Sequence, residues 1–194
     1  MKKNLMIFVA VFIVAMMVFQ TADIPSETGV PESGKAKRIP CHKVSTAFER
    51  GFGDEFIKIA QEELESGNFT FSSRVEKATY APSKLFNYVK LSDIDAITQI
   101  ELESYLVEKK LTDEKLKIKY YIYENDVGDP GKKTKKSKLY AGYVVYKFYN
   151  KNNKLIYQSQ IDFMNRQGTD IAQSVKCAIK SFATYNKSTQ NKEK

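Results

Sequence analysis

From Leu116 onward the apolar residues adopt a period of two, and that change restricts the fold more than any other feature of the chain. Leu116, Ile118, Tyr120 and Ile122 alternate with Lys117, Lys119, Tyr121 and Tyr123, so residues 116–123 read as a strand buried on the first set. Residues 139–149 carry apolar or aromatic side chains on both parities, as a central strand would. The run Asn150-Lys151-Asn152-Asn153-Lys154 follows, and asparagine tolerates the left-handed backbone that a tight turn demands. Leu155–Phe163 is then the returning strand of a hairpin.

The amino-terminal half supplies further elements. Val44, Phe48, Phe52, Phe56 and Ile59 fall within one arc at about 100° per residue, which predicts a helix over 44–66 stopped by Gly67. Gly51 and Gly53 mark either a kink or the start of a second helix capped by Asp54. Residues 68–75 read as a strand, and 80–91 as a connection or a short helix from Ser83. Residues 96–108 alternate, with Ile100, Leu102 and Leu106 opposite Gln99, Glu101 and Glu103, which predicts another strand. Glu101 or Glu103 would pair with Lys117 or Lys119 across the sheet. Gly168-Thr169-Asp170 opens a last helix with Thr169 as its cap and Ile171, Val175, Ala178, Ile179 and Phe182 along its buried stripe. The expected fold is α+β: an antiparallel meander of four to five strands, flanked by an N-terminal and a C-terminal helix on one sheet face. The other face meets water or a partner.

The compartment comes from the first residues. Met1-Lys2-Lys3-Asn4 precedes a run from Leu5 to Phe19 without a polar residue, the pattern of an export signal. Residues 1–22 read as a signal peptide cleaved after Ala22, with retention of 5–19 as an anchor the alternative. The protein is then periplasmic or secreted. The first cysteine after the apolar run is Cys41, too far along for simple lipoprotein processing. Residues 23–40, rich in Pro, Gly, Ser and Thr, read as a flexible linker, 41–186 as a single domain and 187–194 as a disordered polar tail. Export makes the two cysteines a pair: Cys177 lies off the apolar stripe among Gln173, Lys180 and Thr184, so a Cys41–Cys177 disulfide is expected.

Little in the chain specifies a reaction. Cys41-His42 offers a thiol beside the single histidine, but two cysteines and one histidine do not complete a closed tetrahedral zinc site. Asp93/Asp95, Glu101/Glu103 and Asp126/Asp129 are paired carboxylates at turns or on a solvated face. Gly51-Phe52-Gly53 lacks the preceding strand and third glycine of a dinucleotide fingerprint, and the lysine run after Gly131 lacks the spacing of a phosphate loop. The reading is non-enzymatic, with no catalytic residue, metal or cofactor. Lys132, Lys133, Lys135, Lys136 and Lys138 form a basic loop in a chain of net charge +8, and Tyr121, Tyr123 and Tyr146 are tyrosines of the sheet. Together they are the candidate binding surface.

The order of elements and the exported context resemble the small α/β modules of bacterial envelope proteins: the amino-terminal domain of TolB, the CsgG type and the lipoprotein activators of cell-wall synthases. The resemblance is one of architecture, covers roughly 44–186, and rests on no motif. It implies an auxiliary or assembly role through a protein partner in the envelope. One rival is a cystatin-like or NTF2-like domain with a ligand pocket behind the strands of Ile118 and Tyr143. A second is binding of the basic loop to an anionic polymer, lipid or nucleic acid, the nucleic acid being the weakest of these. Contact with a membrane is expected only through the N-terminal segment.

Overall fold

The computed structural model describes residues 36–112 and 115–187. The expected signal segment, most of the linker and nearly all of the tail lie outside the described residues.

Five strands form one sheet in the order β1-β5-β4-β3-β2. They are β1 (Ala47–Gly51), β2 (Phe69–Glu76), β3 (Leu116–Glu124), β4 (Gly142–Tyr149) and β5 (Leu155–Phe163). The helices are α1 (Cys41–Val44), α2 (Asp54–Glu65), α3 (Leu91–Glu103) and α4 (Ile171–Ala183). The α+β class is therefore as expected, and the hairpin β4–β5 turns on Asn153 at φ 59°. The sheet is mixed, however: β2 runs parallel to β3, while every other neighbouring pair is antiparallel.

The reason is α3. Residues 96–108 were expected as a strand, yet 91–103 is helical and buries Ile94, Thr98 and Leu102, a spacing of four that turns one helix face inward. Ile100, which the alternation places inward, is 68% exposed. With a helix between them, β2 and β3 form a crossover and can lie parallel. Glu101 and Glu103 therefore do not pair with the lysines of β3. Lys117 sits between Thr70 and Tyr149, and Lys119 between Ser72 and Lys147.

The expected helix over 44–66 is three elements. Val44, Phe48, Phe52 and Phe56 are spaced by four, which satisfies a period of two as well as 3.6. The glycines decide between them: Gly53 adopts φ 102°, and a Cβ on Gly51 would come within 2.8 Å of Ile57 and Tyr185. Helix α2 starts only after them. Phe48 goes to strand β1, whose partner β5 lies more than a hundred residues further along the chain.

All three longer helices cover the same sheet face. Phe148 of β4 stacks on Phe182 of α4 at 3.9 Å, Thr98 of α3 hydrogen-bonds Tyr146 at 2.6 Å, and Gln61 of α2 donates to the Phe182 carbonyl at 2.7 Å. Leu116, Ile118, Tyr120 and Ile122 are buried here as the alternation required. The N-cap of α4 is Asp170 and not Thr169, and the Asp170 carboxylate accepts from the backbone N–H groups of Met164 and Asn165.

The disulfide joins Cys41 to Cys177 across 136 residues, with the Cα atoms 5.9 Å apart. It fastens α1 over the outer side of α4, and Cys177 is buried as a result. The end of the expected linker is also part of this packing. The Ala36 N–H donates to the Ala47 carbonyl at 2.7 Å, and Arg38 spans from Glu49 to the carbonyls of Ser181 and Thr184. A guanidinium on the last carbonyls of α4 also suits the negative end of the helix dipole.

Candidate functional site

The sheet face opposite the helices carries no helix among the described residues. Strand register arranges it in rows. Arg74, Tyr121, Val145, Gln160 and Phe48 form one row, and Glu76, Tyr123, Tyr143 and Asp162 the next. The rings of Tyr123 and Tyr143 stack at 4.5 Å, Tyr121 meets Tyr143 edge-on at 6.4 Å, and Tyr140 lies 6.3 Å from Tyr143. The result is an aromatic strip across the centre of a half-exposed sheet.

Cations lie over this strip. Lys132 donates to the Tyr123 hydroxyl at 2.8 Å and to the Asn125 side chain, with its ammonium 5.0 Å from the Tyr123 ring and 5.9 Å from that of Tyr140. Arg74 lies 4.5 Å over the ring of Tyr121, and Lys119 5.3 Å over that of Tyr149. Partial burial pushes the Tyr143 hydroxyl well above the usual phenol range, and the neighbouring tyrosines add to the shift. Burial raises Tyr121 and Tyr140 as well. These hydroxyls stay protonated at neutral pH and remain able to donate hydrogen bonds.

The residues singled out from the sequence divide sharply. Tyr121, Tyr123 and Lys132 lie together on the open face. Lys133, Lys135, Lys136 and Lys138 are exposed on the loop beyond it and form no ion pair with a described residue. Tyr146 is not on the surface. It has no exposure, stacks on Tyr120 at 4.7 Å and belongs to the core beneath α3, because its parity in β4 is the inward one. Tyr143 and Phe48 were missed as surface residues, while Val145 of the same row is buried. For Tyr143 the signal was available: it shares the parity of Tyr149, opposite that of the buried Val144 and Phe148.

Three other clusters serve the architecture. The Glu124 carboxylate accepts from the N–H groups of Ala78, Lys84 and Leu85, and Asp126 from those of Thr79, Tyr80, Ala81 and Gly128. These bonds hold both acids below the usual carboxylate range against the opposing effect of burial, and they shape the loop after β2. Arg38 grips both oxygens of Glu49, which also accepts from the Tyr157 hydroxyl at 2.6 Å. His42 Nε2 lies 2.7 Å from Ser181 Oγ, but that hydroxyl donates to the Cys177 carbonyl within α4 and is fully buried, so the pair presents no nucleophile to a substrate. Cys41, His42 and Cys177 are close enough to resemble a ligand set, with both sulfurs committed to the disulfide.

No family model matches the chain, and no curated protein or solved structure matches it. No helix of the described residues is long and apolar enough to cross a membrane.

Proposed function

We propose that the protein is an exported, non-enzymatic module that binds a protein partner through the open face of its sheet. The observation that carries the proposal is the strip of Tyr121, Tyr123, Tyr140 and Tyr143 under Arg74 and Lys132. Tyrosine and arginine dominate the energetics of protein interfaces because a ring or guanidinium gives much contact area with few torsions to immobilise. The architecture resembles that of auxiliary envelope modules, and the buried disulfide fits an oxidising compartment. The pocket-forming alternative is less favoured. The space behind Ile118 is filled by Tyr120, Tyr146, Phe148 and Phe182, all buried.

The four exposed lysines beyond Lys132 support a second reading, in which the loop adds contact with an anionic polymer or headgroup. Comparing three forms of the full chain in capture from its own envelope separates these readings. Changing Tyr121 and Tyr143 to Ser should weaken retention of the partner at least about tenfold, since each interface tyrosine is worth roughly 1–2 kcal/mol. Changing Lys135 and Lys136 to Ser should leave retention at physiological salt nearly unchanged. Equal recovery with all three forms would refute the sheet-face reading. Loss only in the lysine variant, with steep salt dependence, would favour the loop.

A further inference from the structure

Strand β2 ends the sheet on its side. The Leu116 N–H donates to the Asn68 carbonyl at 3.0 Å, and this bond sets the parity of the parallel ladder. Backbone groups of Thr70, Ser72 and Arg74 turn toward β3, so those of Phe69, Phe71, Ser73 and Val75 turn outward. Among the described residues, no backbone group meets these four. The opposite edge is different. Strand β1 is only five residues long, and Ala36 already pairs with it. At eight residues, β2 has no proline or bulge to blunt it.

A groove of about 570 Å³ runs beside that edge. Phe69, Phe71, Leu106 and Leu111 line it together with Lys109, and Gln99 and Glu103 of α3 stand along its wall. Leu106 and Leu111 are 43% and 67% exposed. Helix α3 carries Asp93, Asp95, Glu101 and Glu103 and no basic residue, and Glu103 is the acid it presents to the groove, with Lys109 beyond the helix.

We propose that the β2 edge takes up an extended segment of a partner protein as an added strand, distinct from whatever occupies the tyrosine face. Unpaired N–H and C=O groups at every second residue specify an extended backbone as the occupant. The apolar groove calls for hydrophobic side chains at alternate positions, and Glu103 for a lysine or arginine among them. A second copy of this chain fits poorly, because two-fold pairing at β2 would bring two purely acidic α3 helices toward each other.

The test uses the full chain with its disulfide intact and short end-capped peptides of alternating Val and Thr, one series carrying Lys and the other Glu. Amide exchange at Phe69, Phe71, Ser73 and Val75 should slow on adding the Lys peptide, and a version N-methylated at alternate residues should give no protection. Ser73→Pro removes an outward N–H but leaves the bonds to β3, so it should fold and bind at least about tenfold more weakly. Glu103→Lys should reverse the preference toward the Glu peptide. Tyr143→Ser should leave peptide binding unchanged, which separates this site from the tyrosine face. The proposal is overturned if neither peptide protects these amides at millimolar concentration, or if the methylated peptide protects equally well. Slowed exchange on concentrating the chain alone would make the occupant a second copy and overturn it too.

Discussion

Tyr143 and Tyr146 lie three residues apart on one strand and do opposite things. Tyr146 is sealed between sheet and α3, its hydroxyl bonded to Thr98 and stacked rings on either side. Tyr143 faces the uncovered side, at the centre of a ring cluster with cations above it. The residue type is the same, and parity within the pleat decides which becomes core and which becomes surface. The covered face therefore carries the stability of the domain, and the open face is free to be selected for contact.

Opening the cross-link should have the largest effect on the covered side. The chain-entropy model gives about 5 kcal/mol for closing a loop of this length, so changing Cys41 and Cys177 to Ser should lower the urea midpoint strongly. A shift of less than about 1 kcal/mol would mean that the unfolded chain is already compact there. Next in size is a direct contrast between the faces. Phe148→Ala, which empties a fully buried site against Phe182, should cost about 3–5 kcal/mol, whereas Tyr143→Ala should cost less than about 1. Equal losses in chemical denaturation would show that the open face is also structural.

The smallest effect concerns His42 beside the disulfide. Burial depresses its pKa, the nearby Glu49 opposes this and Arg38 reinforces it. The folded ring therefore stays neutral after the unfolded ring has taken a proton, which begins as pH falls through about 6.5. Stability should decline as pH falls below that value, and His42→Gln should remove that part of the slope. An unchanged slope in the variant would assign the acid sensitivity elsewhere.

How much of this was legible follows from the kind of signal each element carries. Strands β3, β4 and β5 were readable because one face is buried and the other is not, so alternation survives in the sequence. Helix α3 was misread because Ile100, Leu102 and Leu106 mimic alternation while its true inward set, Ile94, Thr98 and Leu102, includes a polar member held by Tyr146. Strand β1 was hidden inside a helix-like spacing, since its partner is β5 and its reason for being extended lies in distant chain. Of the candidate surface, Tyr121, Tyr123 and Lys132 could be named from the sequence. Their assembly around Tyr143 could not, because it depends on the register between strands.

The sequence alone determined the α+β class, the inward parity of β3 and the pairing of Cys41 with Cys177, because these follow from local periodicity and from there being only two cysteines. Tertiary structure decided the parallel placement of β2, the burial of Tyr146 and the unpaired outer edge of β2. Each of these depends on which distant segments become neighbours, and backbone hydrogen bonds between strands carry no residue-specific mark in the chain.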